Sequence, residues 1–397
     1  LSILLRRIYP FLLPKPEKRK DYLLKRTISP FSRKGLPARD DGSGNVHGNL
    51  IILMLKYFYT GTFTRSIEEA GVKSMLRHFF RTTLIALSQA SWAKRWITRS
   101  PVAWRAASRF VAGETLADAL RVIQALNQRG IYGTLDYLGE SVFQAADAQS
   151  AAGEILRALE AIHQSGASAN LSIKLSQIGL ALDETLCRQL LQRILQQAAA
   201  WNIFIRIDME GSSLTEPTLR MWQWARQQGF QLVGIVIQAY LYRSEADIRQ
   251  IVAQGGRVRL CKGAYDEPAA VAFPQKADVD QNYDHLAGLL LQSTARGAAV
   301  GPAAGGCIPP VLALATHDEA RVRFAQTELV RLGLHQQEIE FQMLYGVRRE
   351  LQERLVAEGY PVRVYVPYGT QWYPYFMRRL AERPANVWFF VSNYFRR

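Results

Sequence analysis

From residue 110 onward the chain alternates short β-forming runs with stretches of helical periodicity, and it does so eight times. The runs are IYGTLDYLGE (131–140), LSIKLSQIGL (171–180), IFIRIDME (203–210), LVGIVIQAY (232–240), RVRLCKGAY (257–265), VLALATHD (311–318), IEFQMLYG (339–346) and VRVYVPYG (362–369). Amphipathic segments follow them, such as DETLCRQLLQRILQQAAAW after the second and WYPYFMRRLAER after the eighth. Eight β-then-α units in roughly 260 residues predict a (β/α)8 TIM-like barrel, with an open doubly wound sheet as the competing architecture. Each run opens apolar and closes polar, on Asp136, Lys174, Asp208, Gln238, Arg259, Lys262, Thr316, His317, Gln342 and Tyr365 among others. In a barrel those ends surround the C-terminal mouth, where barrel enzymes carry their chemistry.

What precedes the barrel differs in charge. Residues 1–110 hold 21 Lys+Arg against 6 Asp+Glu, a balance of +15, whereas residues 111–397 hold 28 against 28. Residues 1–74 show no sustained period and read as an irregular basic extension. Met75 opens a coherent helical pattern and marks an alternative beginning of the natural product, so 75–110 is expected to be a helical N-terminal segment ahead of a catalytic barrel at 111–397. A basic, apolar-interleaved segment suits nucleic acid or an anionic membrane surface. Zinc spacing, helix-turn-helix rhythm and ordered aromatic platforms are missing, which argues against nucleic acid. No run reaches the ~18 apolar residues of a transmembrane helix. Cys187, Cys261 and Cys307 are odd in number and widely spaced, so neither a disulfide framework nor a zinc site is expected and a reducing compartment fits. The Gly/Ala/Pro-rich stretch 295–310 reads as a loop insertion, because GPAAGG is not followed by a helix start.

Near the C-terminus, Tyr375, Arg378, Arg379 and Glu382 are spaced three and four apart and share one helix face. A solvated face with an Arg–Glu pair is one reading; a clamp for a planar carboxylate is the other, since guanidinium forks bind carboxylates in a bidentate way. Where the fold puts the helix decides between them. For the mouth itself, metal chemistry is set aside, because only His317 of the six histidines sits at a strand end. A Schiff-base lysine remains open with Lys174 or Lys262. A flavin site needs hydrogen bonds to the ring edge and cations for the pyrophosphate, and Gln238, Arg259, Lys262 and His317 supply that inventory.

The ordered set IDME, VIQAYLYR, RLCKGAY, ATHD, IEFQMLYG, RVYVPYG and YFMRRLAE resembles the proline dehydrogenases, FAD-dependent barrels that open proline catabolism. The resemblance covers residues 105–390 and is closer to the short monofunctional form than to the fused bacterial enzymes. It implies oxidation of L-proline to Δ1-pyrroline-5-carboxylate by hydride transfer from ring C5 to the flavin N5, with a quinone taking the electrons and a separate pyrroline-5-carboxylate dehydrogenase downstream. By the same resemblance Lys174, Arg378 and Arg379 grip the substrate carboxylate, while Leu260, Tyr365 and Tyr375 wall its ring. Asp208 lies near substrate and flavin, and Arg259 meets the flavin N5. Met209, Gln238, Lys262, Gly263, Ala264, Thr316 and His317 fall on FAD-contacting positions. Glu140 pairs with the first arginine as a gate, and Glu382 orients the arginine pair. The implied compartment is the cytoplasm, with the basic segment as a peripheral contact on the inner face of the membrane. The alternatives are oxidation of hydroxyproline or another cyclic amino acid, against which the bulk of Tyr365 argues, and a Schiff-base lyase using Lys262.

Overall fold

Alternation within each strand builds this fold. The computed structural model describes residues 88, 90–139, 142–297 and 306–382. Eight parallel strands close into a barrel in sequence order: β1 (Tyr132–Tyr137), β2 (Ala169–Ile173), β3 (Ile205–Ile207), β4 (Val233–Gln238), β5 (Arg257–Cys261), β6 (Leu312–Ala315), β7 (Ile339–Leu344) and β8 (Val362–Tyr368). β1 pairs with both β2 and β8, which shuts the cylinder. The open doubly wound sheet is thereby excluded. The second half of the run 171–180 is not strand but a 3-10 turn, Leu175–Ile178, closed by Gly179 in the left-handed conformation.

A helix follows every strand: α4 (Ala145–Ser165), α5 (Glu184–Ala200), α6 (Ser212–Gln227), α7 (Ser244–Ala253), α8 (Lys276–Ala295), α9 (Glu319–Arg331), α10 (Arg349–Ala357) and α11 (Trp372–Glu382). Among the described residues three helices come earlier, α1 (Ser91–Thr98), α2 (Pro101–Ala107) and α3 (Leu116–Asn127). Local chemistry starts several of them. Thr115 and Asp118 form a capping box at α3, and the Asp183 and Asp318 carboxylates accept backbone N–H bonds at the starts of α5 and α9. Along the strands, Leu171, Ile173, Ile205, Ile207, Ile235, Ile237, Val258, Leu260, Leu312, Leu314, Phe341, Val362 and Val364 join one apolar cluster with the helices. Their neighbours Asp136, Ser172, Arg206, Arg259, Glu340, Gln342 and Arg363 are equally buried but polar. Period-two alternation therefore yields an apolar sleeve outside the strands and a polar lumen inside. Most barrels fill that lumen with branched aliphatics. This one fills much of it with charge.

A second, smaller apolar cluster joins α11 to α2 through Ala103, Ala106, Ala107, Phe110, Trp372, Tyr373, Phe376 and Leu380. The Trp104 and Trp372 rings meet edge-on at 5.2 Å, and Lys94 Nζ donates to Gln371 Oε1 at 2.7 Å, just before α11 begins. Within 75–110 the described residues hold two helices, α1 and α2, and the apolar side of α2 lies on the arginine-bearing helix. The basic extension 1–74 and positions 298–305 of the insertion lie outside the described residues.

The loop after β7 fits closely against the end of this helical segment. Gly346 sits at φ 75°, and a Cβ there would lie 1.6 Å from the Arg109 carbonyl oxygen. Both the left-handed backbone and the contact demand glycine, at a typical cost of about 1–3 kcal/mol for a strained replacement. Gly346→Ala is expected to lower stability by at least that amount in chemical denaturation, and an unchanged midpoint would show that the loop re-forms elsewhere.

Candidate active site

Asp208, the first residue after β3, is the centre of a buried cluster at the mouth. Its Oδ1 accepts from Arg259 Nη1 at 2.9 Å and its Oδ2 from the Tyr365 hydroxyl at 2.7 Å. Lys174 Nζ, from the residue after β2, lies 3.4 Å from Asp208 Oδ2, 3.1 Å from the Tyr365 hydroxyl and 2.7 Å from Asp136 Oδ1. Arg259 also donates to Ser172 Oγ at 3.0 Å and, through Nε, to Gln342 Oε1. Its guanidinium carbon lies 5.4 Å from the centre of the Tyr365 ring. Residues from β1, β2, β3, β5, β7 and β8 thus meet in one place, which only the inside of a closed barrel allows.

Burial and charge set the protonation of this group. Burial pulls the Lys174 ammonium down, but Asp136 and then Asp208 outweigh it, and its pKa rises above the ordinary lysine value. Lysine therefore stays a cation. Burial pushes the Asp136 carboxyl up, with Lys174 opposing. Tyr365 is raised well above an ordinary phenol by burial, then by Asp136 and Asp208, so it remains a protonated donor. The Cys261 thiol is pushed up to about 12 by burial, which makes it a packing residue and not a nucleophile.

Beside the cluster, two buried polar atoms have no hydrogen-bond partner: Gln238 Oε1 and Arg259 Nη2. Gln238 Nε2 is anchored to the Met209 carbonyl at 3.3 Å, so the amide oxygen is held in place. An acceptor and a cationic donor left over at one mouth match the edge of a planar heterocycle that itself carries donors and acceptors. The turn at Gly263 has φ 111°, and any Cβ would run into the Tyr240 ring at 2.4 Å. Ala264 next to it is exposed. These residues fit a flavin.

Other expected residues are placed as follows. Thr316 is buried, with its Oγ1 accepting from the Asp318 N–H at 3.1 Å, and His317 Nε2 accepts from the Leu344 N–H at 2.9 Å. Lys262 is ion-paired with Asp280 and, at 2.8 Å, with Asp318. A Schiff-base amine needs an apolar pocket instead, so the lyase reading loses its residue. Leu260 is fully buried in the apolar sleeve, on the opposite strand face from Arg259, and is not brought together with the polar group. On α11, Tyr375 is buried, Arg379 is half-buried with its guanidinium carbon 5.1 Å from the Tyr375 ring centre, and Arg378 is exposed. Glu140 and the side chain of Glu382 lie outside the described residues.

Two functional positions escaped the sequence reading. Asp136 was visible only as a polar strand end, and nothing in the sequence says that it meets Lys174. Tyr265, in the loop after β5, has its hydroxyl pushed up to about 12 by burial and then by Glu210, while Lys174 and Arg378 pull it back. One phenol feels both Lys174 at the lumen and Arg378 on α11. Among the described residues, no cluster of His, Cys, Asp and Glu could hold a metal ion, and no helix is long and apolar enough to cross a membrane.

Comparison with known proteins agrees with this geometry. The family described as proline dehydrogenase matches residues 119–391. Proline dehydrogenase 1 of Bacillus subtilis is 40% identical over 318 residues, which are 80% of this chain and 98% of that protein. The proline dehydrogenase of Deinococcus radiodurans is 41% identical over 293 residues, 73% of this chain and 90% of the relative. Among solved structures, proline utilization A from Bdellovibrio bacteriovorus, inactivated by N-propargylglycine, superposes with a TM-score of 0.63 at 24% identity, covering 70% of this chain and 33% of that one. That last likeness speaks for the fold alone.

The hydroxyl of Tyr365 both donates to Asp208 and accepts from Lys174. Tyr365→Phe leaves two buried charges each short of a bond, which costs about 1–3 kcal/mol. Urea unfolding is expected to show that loss, and an unchanged stability would mean that water replaces the hydroxyl.

Proposed function

The chain belongs to the proline dehydrogenase family and oxidises L-proline to Δ1-pyrroline-5-carboxylate with a flavin, and from that premise we propose that the flavin is FAD and that the cluster at the mouth is its catalytic centre. The flavin, when bound, supplies the two-electron acceptor. The observation that carries the reading is Asp208 held by Arg259, Tyr365 and Lys174, with Arg259 Nη2 and Gln238 Oε1 left over beside it. Arg259 and Gln238 would hold the ring edge, and Met209, the turn Lys262-Gly263-Ala264, Thr316 and His317 would supply the other contacts to the cofactor. Lys174, Arg378 and Arg379 receive the substrate carboxylate. Three cations around one carboxylate fix the ring in one pose, and positioning of that kind lowers the barrier without any further chemistry from the protein. Asp208 balances the local positive charge and holds Arg259 still, while Tyr365 and Tyr375 border the ring. We place the catalytic domain at 111–397.

The purified protein is expected to be yellow, to release FAD on denaturation, and to bleach when L-proline is added without oxygen. Protein that neither retains nor takes up FAD, or whose flavin proline leaves unchanged, would overturn the reading. In the same assay Arg378→Met and Arg379→Met are expected to raise the KM for proline about ten- to a hundredfold at unchanged flavin content, the equivalent of one lost charge-assisted contact. Normal proline kinetics in both variants would return the arginines to a solvated helix face.

Electrons leave, on this reading, to a membrane quinone, and a separate pyrroline-5-carboxylate dehydrogenase consumes the product. The outer side of α1 and α2 suits a cytoplasmic protein touching the inner face of an anionic membrane. Arg95, Arg99, Arg105 and Arg109 are exposed there, while the apolar side packs on α11. Attachment would then be electrostatic and not insertional. Sedimentation with anionic vesicles is expected at low salt and should fade as the Debye length falls from ~10 Å at 0.1 M to ~3 Å at 1 M. Protein that ignores such vesicles at low salt would reduce the helix pair to a cap on α11.

A further inference from the structure

Below the mouth cluster, four polar side chains run down the inside of the barrel: Arg259 (5% exposed), Gln342 (4%), Glu340 (1%) and Arg363 (0%). At the foot, Arg363 Nη1 donates to the Gly133 carbonyl and Nη2 to the Gly306 carbonyl, each at 2.6 Å. Its Nε and Nη2 also hold Glu340 at 2.8 and 3.0 Å. Glu340 Oε1 accepts from Gln342 Nε2, and Gln342 Oε1 accepts from Arg259 Nε. Gln342 therefore has a carboxylate at its amide nitrogen and a guanidinium at its oxygen. The amide can face only one way. Strand β6 leaves room for this. Arg259 registers with Ala313, Ala313 with Glu340, and Ala315 with Gln342, so only methyl groups stand between β5 and β7.

A guanidinium is planar, so two fixed nitrogens fix the third. Gln342 takes Nε of Arg259, Asp208 and Ser172 take Nη1, and Nη2 is the nitrogen left without a partner. We propose that Arg363, Glu340 and Gln342 are a positioning ladder for Arg259, setting the direction of Nη2 and through it the redox potential of the flavin. The inference rests on the reading of Arg259 as the residue that meets the flavin ring. Arg363 and Glu340 neutralise each other, so the ladder steers Arg259 without cancelling its charge. A cation held at the ring edge favours the electron-rich, reduced cofactor, and a cation free to swing away does so less.

The test is made on flavin-loaded enzyme with three variants. Gln342→Met keeps the length of the side chain but removes the acceptor for Arg259. It is expected to move the two-electron flavin potential about 30 mV more negative, the equivalent of a tenfold change in the redox equilibrium, and to lower kcat while the KM for proline holds. The exchange Glu340→Gln with Gln342→Glu gives up one of the two bonds from Arg363 but keeps the acceptor for Arg259 Nε and the net charge of the ladder, and should bring turnover back to within about threefold of the parent. Should the methionine variant fail to hold flavin, the exchange decides alone: recovered flavin content and turnover support the ladder, and failure in both variants returns the three residues to barrel packing. Arg259→Met separates the two readings. If it moves the potential while a loaded Gln342→Met does not, the ladder is wrong; if Arg259→Met itself leaves the potential unchanged, the assignment of Arg259 to the flavin is at fault.

Discussion

One carboxylate, Asp208, holds the mouth of this barrel together. It is almost wholly buried, with Arg259 2.9 Å from one oxygen and Tyr365 2.7 Å from the other. Removing a lone charge from water costs several kcal/mol, and only close, well-aligned partners offset it. Those partners come from β5 and β8, and Lys174 arrives from the end of β2. The strands have to close around Asp208 for its charge to be tolerable. The polar lumen and the closed topology are in this sense one requirement.

The same demand runs down the barrel axis. A lumen with Arg206, Arg257, Arg259, Arg363 and Lys174 against Asp136, Asp208 and Glu340 carries more cations than anions. Arg206 shows the strain most plainly: it is fully buried, bonded only to the Ile235 and Arg257 carbonyls, and burial drives its pKa well below the ordinary arginine value. An interior biased toward positive charge favours anionic guests. Proline presents a carboxylate, and flavin nucleotides present phosphate, so the bias matches both occupants of a flavin-dependent proline oxidiser.

Much of this was legible before any coordinates. RVRLC, IRIDME and VRVYV alternate charge with branched aliphatics, and that alternation placed the starts of β5, β3 and β8 to within two residues, while the runs overshoot the ends of β3 and β5. The polar strand ends named the mouth, and the motif order named the family. What could not be read was who touches whom across the lumen. That Asp136 meets Lys174, or that Gln342 links Glu340 to Arg259, depends on the register between strands, and a single strand does not encode its neighbour's register. Leu260 failed for a related reason. Its neighbour in sequence carries the chemistry, but the period of two turns Leu260 into the sleeve. LSQI, apolar enough for strand, is a 3-10 turn whose four residues are all buried, so burial alone did not distinguish it from strand.

The arginines on α11 belong to a different mechanical unit from the lumen. Their helix packs through its own apolar cluster against α2 and Leu138, and the strands of the barrel pack through another. Interactions that share no partners vary nearly independently. On the proposed roles, a change on α11 would alter what grips the substrate carboxylate without repacking the residues around Arg259 and Gln238, and a change in the lumen would leave α11 seated. Such a division lets substrate fit and flavin chemistry be adjusted separately within one barrel. On the proposed roles, Lys174 is a substrate-side cation that also bonds within the lumen cluster, to Asp208 and to the Tyr365 hydroxyl, so a change there reaches both carboxylate recognition and the group around Arg259.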